Sequence, residues 1–192
     1  MKKILSLLTL LSVISVGAYA QGISGGLKLG MNLANQTISA EGITVSPSFR
    51  TSFHAGGYVT VMISEKLGVQ PEVLYSGQGA KNGDFSFKAN YVSVPVLVRW
   101  NFTPLFSVHA GPQLGILVSA KEEMQGQTED VKDDYKSTDV GIAAGLGIDL
   151  PMGLNFGFRF VKGMSNIVDS DDYKQKNYAL QFSAGYKLFG KK

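Results

Sequence analysis

Residues 178–188 read YALQFSAGYKL, and this stretch indicates the fold most clearly. Apolar residues alternate in it with small or polar residues. A side-chain period of two is typical of a β-strand whose two faces meet different surroundings. Two similar stretches precede it, VGIAAGLGIDL at 140–150 and LNFGFRFV at 154–161. The C-terminal part of the chain therefore predicts three amphipathic strands in succession.

Eight runs of this kind follow one another, and the segments that join them alternate in length. The long segments are 35–52, 80–88, 119–137 and 162–176, and the short ones are 64–66, 102–104 and 151–152. Up-and-down barrels of bacterial outer membranes show this alternation, with short periplasmic turns and longer external loops. We therefore predict an all-β protein built as an eight-stranded antiparallel up-and-down transmembrane β-barrel.

The first twenty residues have the pattern of a secretory signal peptide. Lys2 and Lys3 precede a mostly apolar run at 4–16, and Ala18 and Ala20 form an A-x-A cleavage signal. The apolar run is shorter than the ~20 residues that a spanning helix needs, which favours cleavage over a retained anchor. The predicted organisation is a signal peptide at 1–20 and an outer-membrane β-barrel domain at 21–192.

Composition excludes several classes of protein. The chain has no cysteine, which excludes disulfides, thiolate metal sites and a lipid-modified cysteine. No later stretch approaches eighteen consecutive apolar residues, so a helical membrane protein is excluded. The 18 basic residues exceed the 15 acidic ones by little, and Lys2 and Lys3 lie in the signal. The mature chain is close to neutral, so no nucleic-acid partner is predicted.

The apolar faces of the strands are predicted to meet outer-membrane lipid. They carry more bulky residues than the lumen of eight strands can hold. The opposite faces consist mostly of Gly, Ser, Ala, Asn and Gln, whereas a water-facing surface would be rich in Lys and Glu. A soluble barrel that carries an apolar ligand is the alternative.

Three further stretches carry a family resemblance: GVQPEVLYSG at 68–77, YVSVPVLVR at 91–99 and AGPQLG at 110–115. In this order and spacing they resemble the PorT-type outer-membrane β-barrel family of Gram-negative bacteria. The resemblance covers essentially the whole mature chain and implies the fold more than an activity. The family takes its name from a member linked to protein secretion and maturation, which implies a surface or secretion partner.

Three prolines fall within predicted strands, Pro71, Pro95 and Pro112. Proline lacks the N–H that a β-ladder needs and is usually confined to edges or bulges. A closed barrel has no edges, so we predict bulges at these positions.

Six charged residues are predicted to point into the lumen: Lys28, Glu72, Arg99, Asp149, Arg159 and Lys187. Isolated charges are costly in a poorly solvated space, so they are expected to pair. Glu72 and Arg99 lie on adjacent strands and are predicted to be neighbours. An ion-pair plug is the favoured interpretation, because eight strands leave little open bore, and a narrow ion path is the alternative.

His54 and His109 are the only histidines, and both are predicted to face inward. His109 together with Ser107 and Asp149 suggests a Ser/His/Asp hydrolase or acyltransferase. Their spacing does not favour it, and no G-x-S-x-G nucleophile elbow is present. Buried, hydrogen-bonded histidines are the favoured interpretation.

The predicted external loops are acidic. Their main carboxylates are Asp133, Asp134, Asp169, Asp171 and Asp172. They suggest either a surface for divalent cations or cationic ligands, or simply soluble loops, which we favour. No EF-hand, P-loop, dinucleotide or zinc spacing is present, so no cofactor is predicted.

The predicted function is a small integral outer-membrane barrel with a structural or loop-mediated recognition role, and not an enzyme. A narrow channel, a barrel enzyme and a soluble carrier are the alternatives. The last strand, 178–188 followed by Phe189, resembles a barrel-assembly signal, so the assembly machinery is a further expected partner.

Overall fold

The computed structural model of the protein describes residues 22–40, 43–169 and 173–190. The cleavage-signal residues Ala18 and Ala20 lie outside the described residues. In the described part, ten strands and one 3₁₀ turn at Lys132–Asp134 follow in chain order. The strands are β1 (Ile23–Ala40), β2 (Ile43–Val45), β3 (Ser48–Met62), β4 (Leu67–Asn82), β5 (Phe85–Asn101), β6 (Phe106–Met124), β7 (Gln127–Asp130), β8 (Thr138–Asp149), β9 (Leu154–Gly163) and β10 (Tyr173–Phe189).

Eight long strands close into an antiparallel barrel. They pair in the order β1, β3, β4, β5, β6, β8, β9 and β10, and β10 pairs back with β1 from Phe189 to Tyr173. Closure satisfies both edges, which a membrane requires because lipid offers no hydrogen bonds to the backbone. The short strands β2 and β7 lie outside the ring, and they pair with the outer ends of β1 and β6. The predicted fold class is confirmed.

The two faces of the barrel wall differ as the period of two predicts. On β1, Leu27 and Leu29 are 58% and 67% exposed, whereas Lys28 and Asn32 are buried. No helix in the described ranges is long and apolar enough to cross a membrane. The exposed leucines give the wall an apolar outer surface, and the buried lysine and asparagine are enclosed by it.

Aromatic side chains form two belts on the outside of the wall. Near the end that carries the termini, Phe102 contacts both Trp100 and Phe106, with ring centroids 6.2 Å apart in each pair. Toward the other end, Tyr178 contacts Phe49 at 5.8 Å and Phe160 at 6.5 Å. Such girdles mark the two headgroup regions of a membrane.

The connections between strands are shorter than the sequence predicts at one end. The segment 80–88, predicted as a long loop, is strand on both sides of a turn at Gly83 and Asp84. Gly83 has φ of +58°, which favours glycine. The segments 35–52 and 119–137 are also largely strand. The predicted loops were too long because the strands continue beyond the apolar band, where the hydrophobic signal ends.

The predicted proline bulges are wrong. The register of β4 with β5 is the same on both sides of Pro71, and that of β5 with β6 is the same on both sides of Pro95. Pro112 lies opposite Ile142 within a regular pairing. The register shifts occur elsewhere, for example beside Asn90. A proline thus removes one ladder bond without adding a residue to its strand.

Candidate functional site: the lumen and the outer lobe

The inward side chains form three stacked layers of hydrogen bonds. The inner layer lies nearest the chain termini, and the middle and outer layers follow toward the long loops. All six charges predicted for the lumen face inward, and they lie in the part of the barrel nearest the chain termini. Lys28, Glu72 and Arg159 are buried, whereas Arg99, Asp149 and Lys187 are partly buried closer to the opening.

Glu72 is the centre of the inner layer. Its carboxylate accepts hydrogen bonds from Lys28 Nζ at 2.7 Å and from the two Nη atoms of Arg159 at 2.9 and 2.8 Å. Gln70 Nε2 donates a further bond at 2.6 Å. Because β4 and β9 are four places apart in a ring of eight, the bond between Glu72 and Arg159 spans the lumen. Bidentate, charge-assisted bonds are among the strongest in proteins.

The predicted direct pair of Glu72 and Arg99 is wrong. In the register of β4 with β5, Arg99 lies opposite Gly68, four residues from Glu72. At about 3.3 Å per residue, this separates the two positions by about 13 Å along the strand. Arg99 pairs with Asp149 instead and donates to Gln70 Oε1 at 3.0 Å. Gln70 therefore links the two groups of charges.

The middle layer surrounds His54. Its Nδ1 lies 2.6 Å from Asn32 Oδ1, and its Nε2 lies 2.9 Å from Ser183 Oγ. Asn32 Nδ2 donates to Ser76 Oγ at 3.0 Å, and Gln181 Nε2 donates to Asn32 Oδ1 at 3.1 Å. Both ring nitrogens of this buried histidine therefore have partners.

The outer layer contains a second bridge across the lumen. Asn177 Nδ2 on β10 donates to Tyr91 Oη on β5 at 3.2 Å, and these strands are four places apart in the ring. The same amide donates to Asp139 Oδ2 at 3.0 Å. Gln36 Nε2 donates to Asn177 Oδ1 at 2.9 Å, and Gln36 Oε1 accepts a bond from Gln175 Nε2 at 2.7 Å. The bore is thus bridged at two depths.

The residues of the hydrolase alternative are occupied by other contacts. Nε2 of His109 accepts a bond from Arg159 Nε at 3.3 Å, and Ser107 Oγ donates to the Gly147 carbonyl at 3.4 Å. Asp149 pairs with Arg99. Ser107, His109 and Asp149 therefore do not form the nucleophile, base and orienting acid that a triad needs.

Cavities within the barrel are small. A hollow of about 180 Å³ opens at the end with the termini and is lined by Tyr58, Arg99 and Asp149. Deeper cavities measure only about 20 and 10 Å³. The smaller one adjoins Gln78 and Ser93, whose buried side-chain oxygens have no protein partner, and one water is the largest guest it holds.

Glycine makes room for this packing at Gly30. A Cβ there would overlap the carbonyl oxygen of Phe182 and the ring of His54. The middle layer therefore requires a residue without a side chain at this point of β1.

At the outer end of the barrel, the extended β5–β6 hairpin carries its own hydrophobic cluster. We call this hairpin, together with β7 and the turn at Lys132–Asp134, the outer lobe. The buried residues of the cluster are Phe87, Ala89, Tyr91, Leu117, Ala120 and Val131. Phe87 stacks on Tyr135 with ring centroids 4.6 Å apart, and Tyr135 pairs with Val168 of the next connection. The two long connections therefore pack against each other.

The predicted loop carboxylates Asp133, Asp134 and Asp169 are solvent-exposed. Asp133 and Asp134 lie on the 3₁₀ turn, and Asp169 lies 3.5 Å from Lys136. Asp171 and Asp172 lie outside the described residues. Among the described residues, no three acidic or histidine side chains converge in a way that could hold a metal ion. Burial, followed by the charge of Glu122, raises the pKa of the Tyr135 phenol above its ordinary value.

The class of protein follows from these features. A closed eight-stranded barrel with an apolar exterior, two aromatic girdles and a polar interior is an integral outer-membrane β-barrel. The family described as outer membrane protein beta-barrel domain matches residues 19–169, and the chain belongs to it. The protein therefore resides in the outer membrane. PorT-type proteins are a narrower group, and this match supports the general family only.

Two solved structures are similar in fold. Ail, the attachment invasion locus protein of Yersinia pestis, is 18% identical and matches with a TM-score of 0.51 over 88% of this chain and 99% of that chain. Neisserial surface protein A is 11% identical, with a TM-score of 0.54 over 84% of this chain and 97% of that chain. At these identities the similarity shows the fold alone. A comparison with curated proteins found no match.

The amides of the layers escaped the sequence analysis. Asn32, Gln36, Gln70 and Asn177 all lie at inward positions of a period-two pattern. The signal was present for Asn32, Gln70 and Asn177, because amides recur on the face opposite the bulky residues, but only the charged residues, the histidines and Ser107 were singled out. Gln36 lies in a segment predicted as a loop. The outer lobe was missed for a different reason, since Phe87, Ala120 and Val131 of its cluster fall in segments predicted as loops.

Proposed function

We propose that this protein is a closed structural barrel whose outer lobe serves surface recognition, and that it is not an enzyme. The observation that carries the proposal is the bridge from Glu72 to Arg159, which joins opposite walls of the lumen. In the described part of the chain, side chains bridge the lumen at two depths, so the proposed barrel is closed to solutes. Its accessible chemistry is then on the surface outside the membrane.

The outer lobe supports the recognition role because it is an ordered surface. Its hydrophobic cluster and the contact between Tyr135 and Phe87 hold the exposed carboxylates of Asp133 and Asp134 in a fixed setting. A surface that is already ordered loses little conformational entropy on binding. The exposed carboxylates favour a partner with a cationic surface. Ail and Neisserial surface protein A are by their names an attachment and a surface protein, which is in line with this role.

The narrow channel is the second candidate function, and planar bilayers distinguish the two. The refolded wild-type protein is expected to give no discrete conductance steps. The Glu72→Ala/Arg159→Ala variant removes one bridge and leaves the bridge from Asn177 to Tyr91 in place, so it should also stay closed. Steady conductance of the wild-type protein would overturn the closed-barrel proposal.

Recognition is tested separately with a lysine-rich peptide as the probe. The refolded Asp133→Asn/Asp134→Asn variant should bind this peptide several-fold more weakly than wild type. The matched control is Glu65→Gln/Asp84→Asn, which changes the charge equally in turns outside β7 and the 3₁₀ turn. Equal loss in both variants would indicate a general charge effect and contradict a role for the lobe. A link to secretion rests on the family resemblance alone and is outside this proposal.

A further inference from the structure

A groove on the outside of the barrel carries three lysines. It lies where β9, β10 and β1 meet β2, has a volume of about 480 Å³, and is lined by Lys162, Lys174 and Lys176. None of the three forms an ion pair with any residue of the described ranges. The described lining contains no carboxylate. The groove is therefore a concentrated positive site without a described counter-charge.

The strand register explains why the lysines gather there. Lys162 lies opposite Tyr178, which is two residues from Lys176 on the same face of β10. Lys176 and Lys174 lie opposite Thr37 and Ser39 of β1. All these positions belong to the outward face, which carries apolar residues elsewhere along the same strands. The change from apolar to basic therefore occurs on one continuous face.

The depth of the groove is set by the aromatic belt beside it. Phe160 precedes Lys162 by two residues on β9, and Tyr178 follows Lys176 by two on β10. Two residues of a strand span about 6.6 Å, so the lysines lie one step outside the aromatic rings. Aromatic belts lie at the headgroups of a membrane, and the groove therefore opens at the headgroup level of the outer leaflet.

Hydroxyl groups complete the lining. Ser39 and Thr44 bond to each other at 3.0 Å, and Thr37 and Ser46 also line the groove. Lysine is a good point-charge partner for phosphate, and hydroxyls donate readily to phosphate oxygens. Phe160 and Tyr178 provide apolar surface for the part of a lipid next to its headgroup.

We propose that this groove binds the phosphorylated headgroup of an outer-leaflet lipid. The lysines neutralise the phosphate, and the aromatic rings contact the adjoining apolar part of the molecule. A free anion gains nothing from the second contact, which is why the lipid is the favoured occupant. The site is centred on β10, three places around the ring from β6, which carries β7, and its lining shares no residue with the outer lobe.

The test uses the full refolded barrel in detergent, with bisphosphorylated lipid A as the probe and bound lipid counted by native mass spectrometry. Lys162→Gln/Lys174→Gln/Lys176→Gln should weaken binding by at least about tenfold, because each lysine beside an anionic headgroup contributes several-fold. The matched control is Lys81→Gln/Lys121→Gln/Lys132→Gln, which removes three exposed lysines elsewhere at the same end. It should bind as wild type does.

Three further outcomes test the phosphate chemistry, the location of the site and the kind of anion that it binds. Lipid A without its phosphates should bind at least tenfold more weakly than the intact probe, and equal binding would overturn the phosphate chemistry. Equal losses in the two lysine variants would overturn the location. Displacement of the lipid by inorganic phosphate, at an ionic strength matched with chloride, would assign the site to a free anion. Unboiled gel mobility shows that each variant has formed its barrel before binding is measured.

Discussion

Glu72 of β4 and Arg159 of β9 face each other from opposite walls of the barrel and are joined by hydrogen bonds of 2.8 and 2.9 Å. Eight strands enclose a lumen just wide enough for its side chains, so two residues suffice to span it. Lys28 supplies a second cation to the same carboxylate at 2.7 Å. The pairing fixes the distance between the walls as well as neutralising the charges.

Loss of the central carboxylate should destabilise the barrel strongly. In Glu72→Ala, both Lys28 and Arg159 remain buried without their partner, and breaking a buried pair costs about 3–5 kcal/mol. Replacing all three charged residues with apolar ones, as in Lys28→Met/Glu72→Leu/Arg159→Met, should cost less, because no buried charge is then left unpaired. Urea unfolding of the refolded barrel in lipid vesicles measures both.

Double-mutant cycles separate the observed pair from the pair that the sequence predicts. Glu72 and Arg159 should show coupling well above about 0.5 kcal/mol, the usual limit for independent sites. Glu72 and Arg99 touch only through Gln70, and their coupling should be smaller. The reverse order of couplings would contradict the arrangement of the inner layer.

The outer lobe should loosen without loss of the barrel when Phe87 is truncated. Phe87 is 2% exposed and stacks on Tyr135, and Phe→Ala in a core costs about 3–5 kcal/mol. Trypsin should then cut faster after Lys132 and Lys136, while unboiled gels still show the folded barrel. Phe156→Ala, which removes a lipid-facing ring, is the control and should leave the rate of cutting unchanged.

Labelling of single cysteines should show which end of the barrel faces outside. The chain has no native cysteine, so each introduced thiol is unique. Thiols at Asn82 and Gln127 are expected to react with an impermeant reagent in intact cells, and a thiol at Glu65 only after lysis. All three positions are exposed in the structure. Reaction at Glu65 alone would invert the orientation.

Removal of residues 177–192 should prevent assembly. β10 is bonded to β9 on one side and to β1 on the other, so its loss leaves two open edges. Unpaired backbone groups cannot be satisfied in lipid. We expect no heat-modifiable band in the outer-membrane fraction, and a truncated barrel that resists SDS would contradict this. Phe189→Ala alone tests whether the terminal aromatic is needed for delivery to the assembly machinery.

The barrel was predictable because its signal is local. A period of two with bulky residues on one face gives each strand and its lipid-facing side, and the strand count follows from the turns. Leu180 and Gln181 need no knowledge of their partners to be placed on opposite faces. The whole ring then follows from the requirement that no edge be left in lipid.

The pairing of the lumen charges was not predictable in the same way. The pairing depends on the register between strands, because a slip of one residue moves every side chain of a strand to the other face. The sequence does not fix the register across a ring. The partner of Glu72 was predicted on the neighbouring strand, but its charged partners Lys28 and Arg159 lie on β1 and β9. The strand ends were misjudged where Phe85 and Phe87 continue β5 beyond the membrane, because apolar residues there pack on the lobe and not on lipid.

The alternation of apolar and polar residues along each strand has a consequence for how the protein reaches its destination. A barrel destined for the outer membrane must first cross the inner one, and a long apolar stretch would arrest it there as a spanning helix. In β10 the apolar residues Leu180 and Phe182 are separated by Gln181, so their hydrophobicity accumulates only when neighbouring strands are assembled side by side. The unfolded chain can therefore pass through the inner membrane, because no single strand of it is strongly hydrophobic. Only the folded barrel presents a continuous apolar surface.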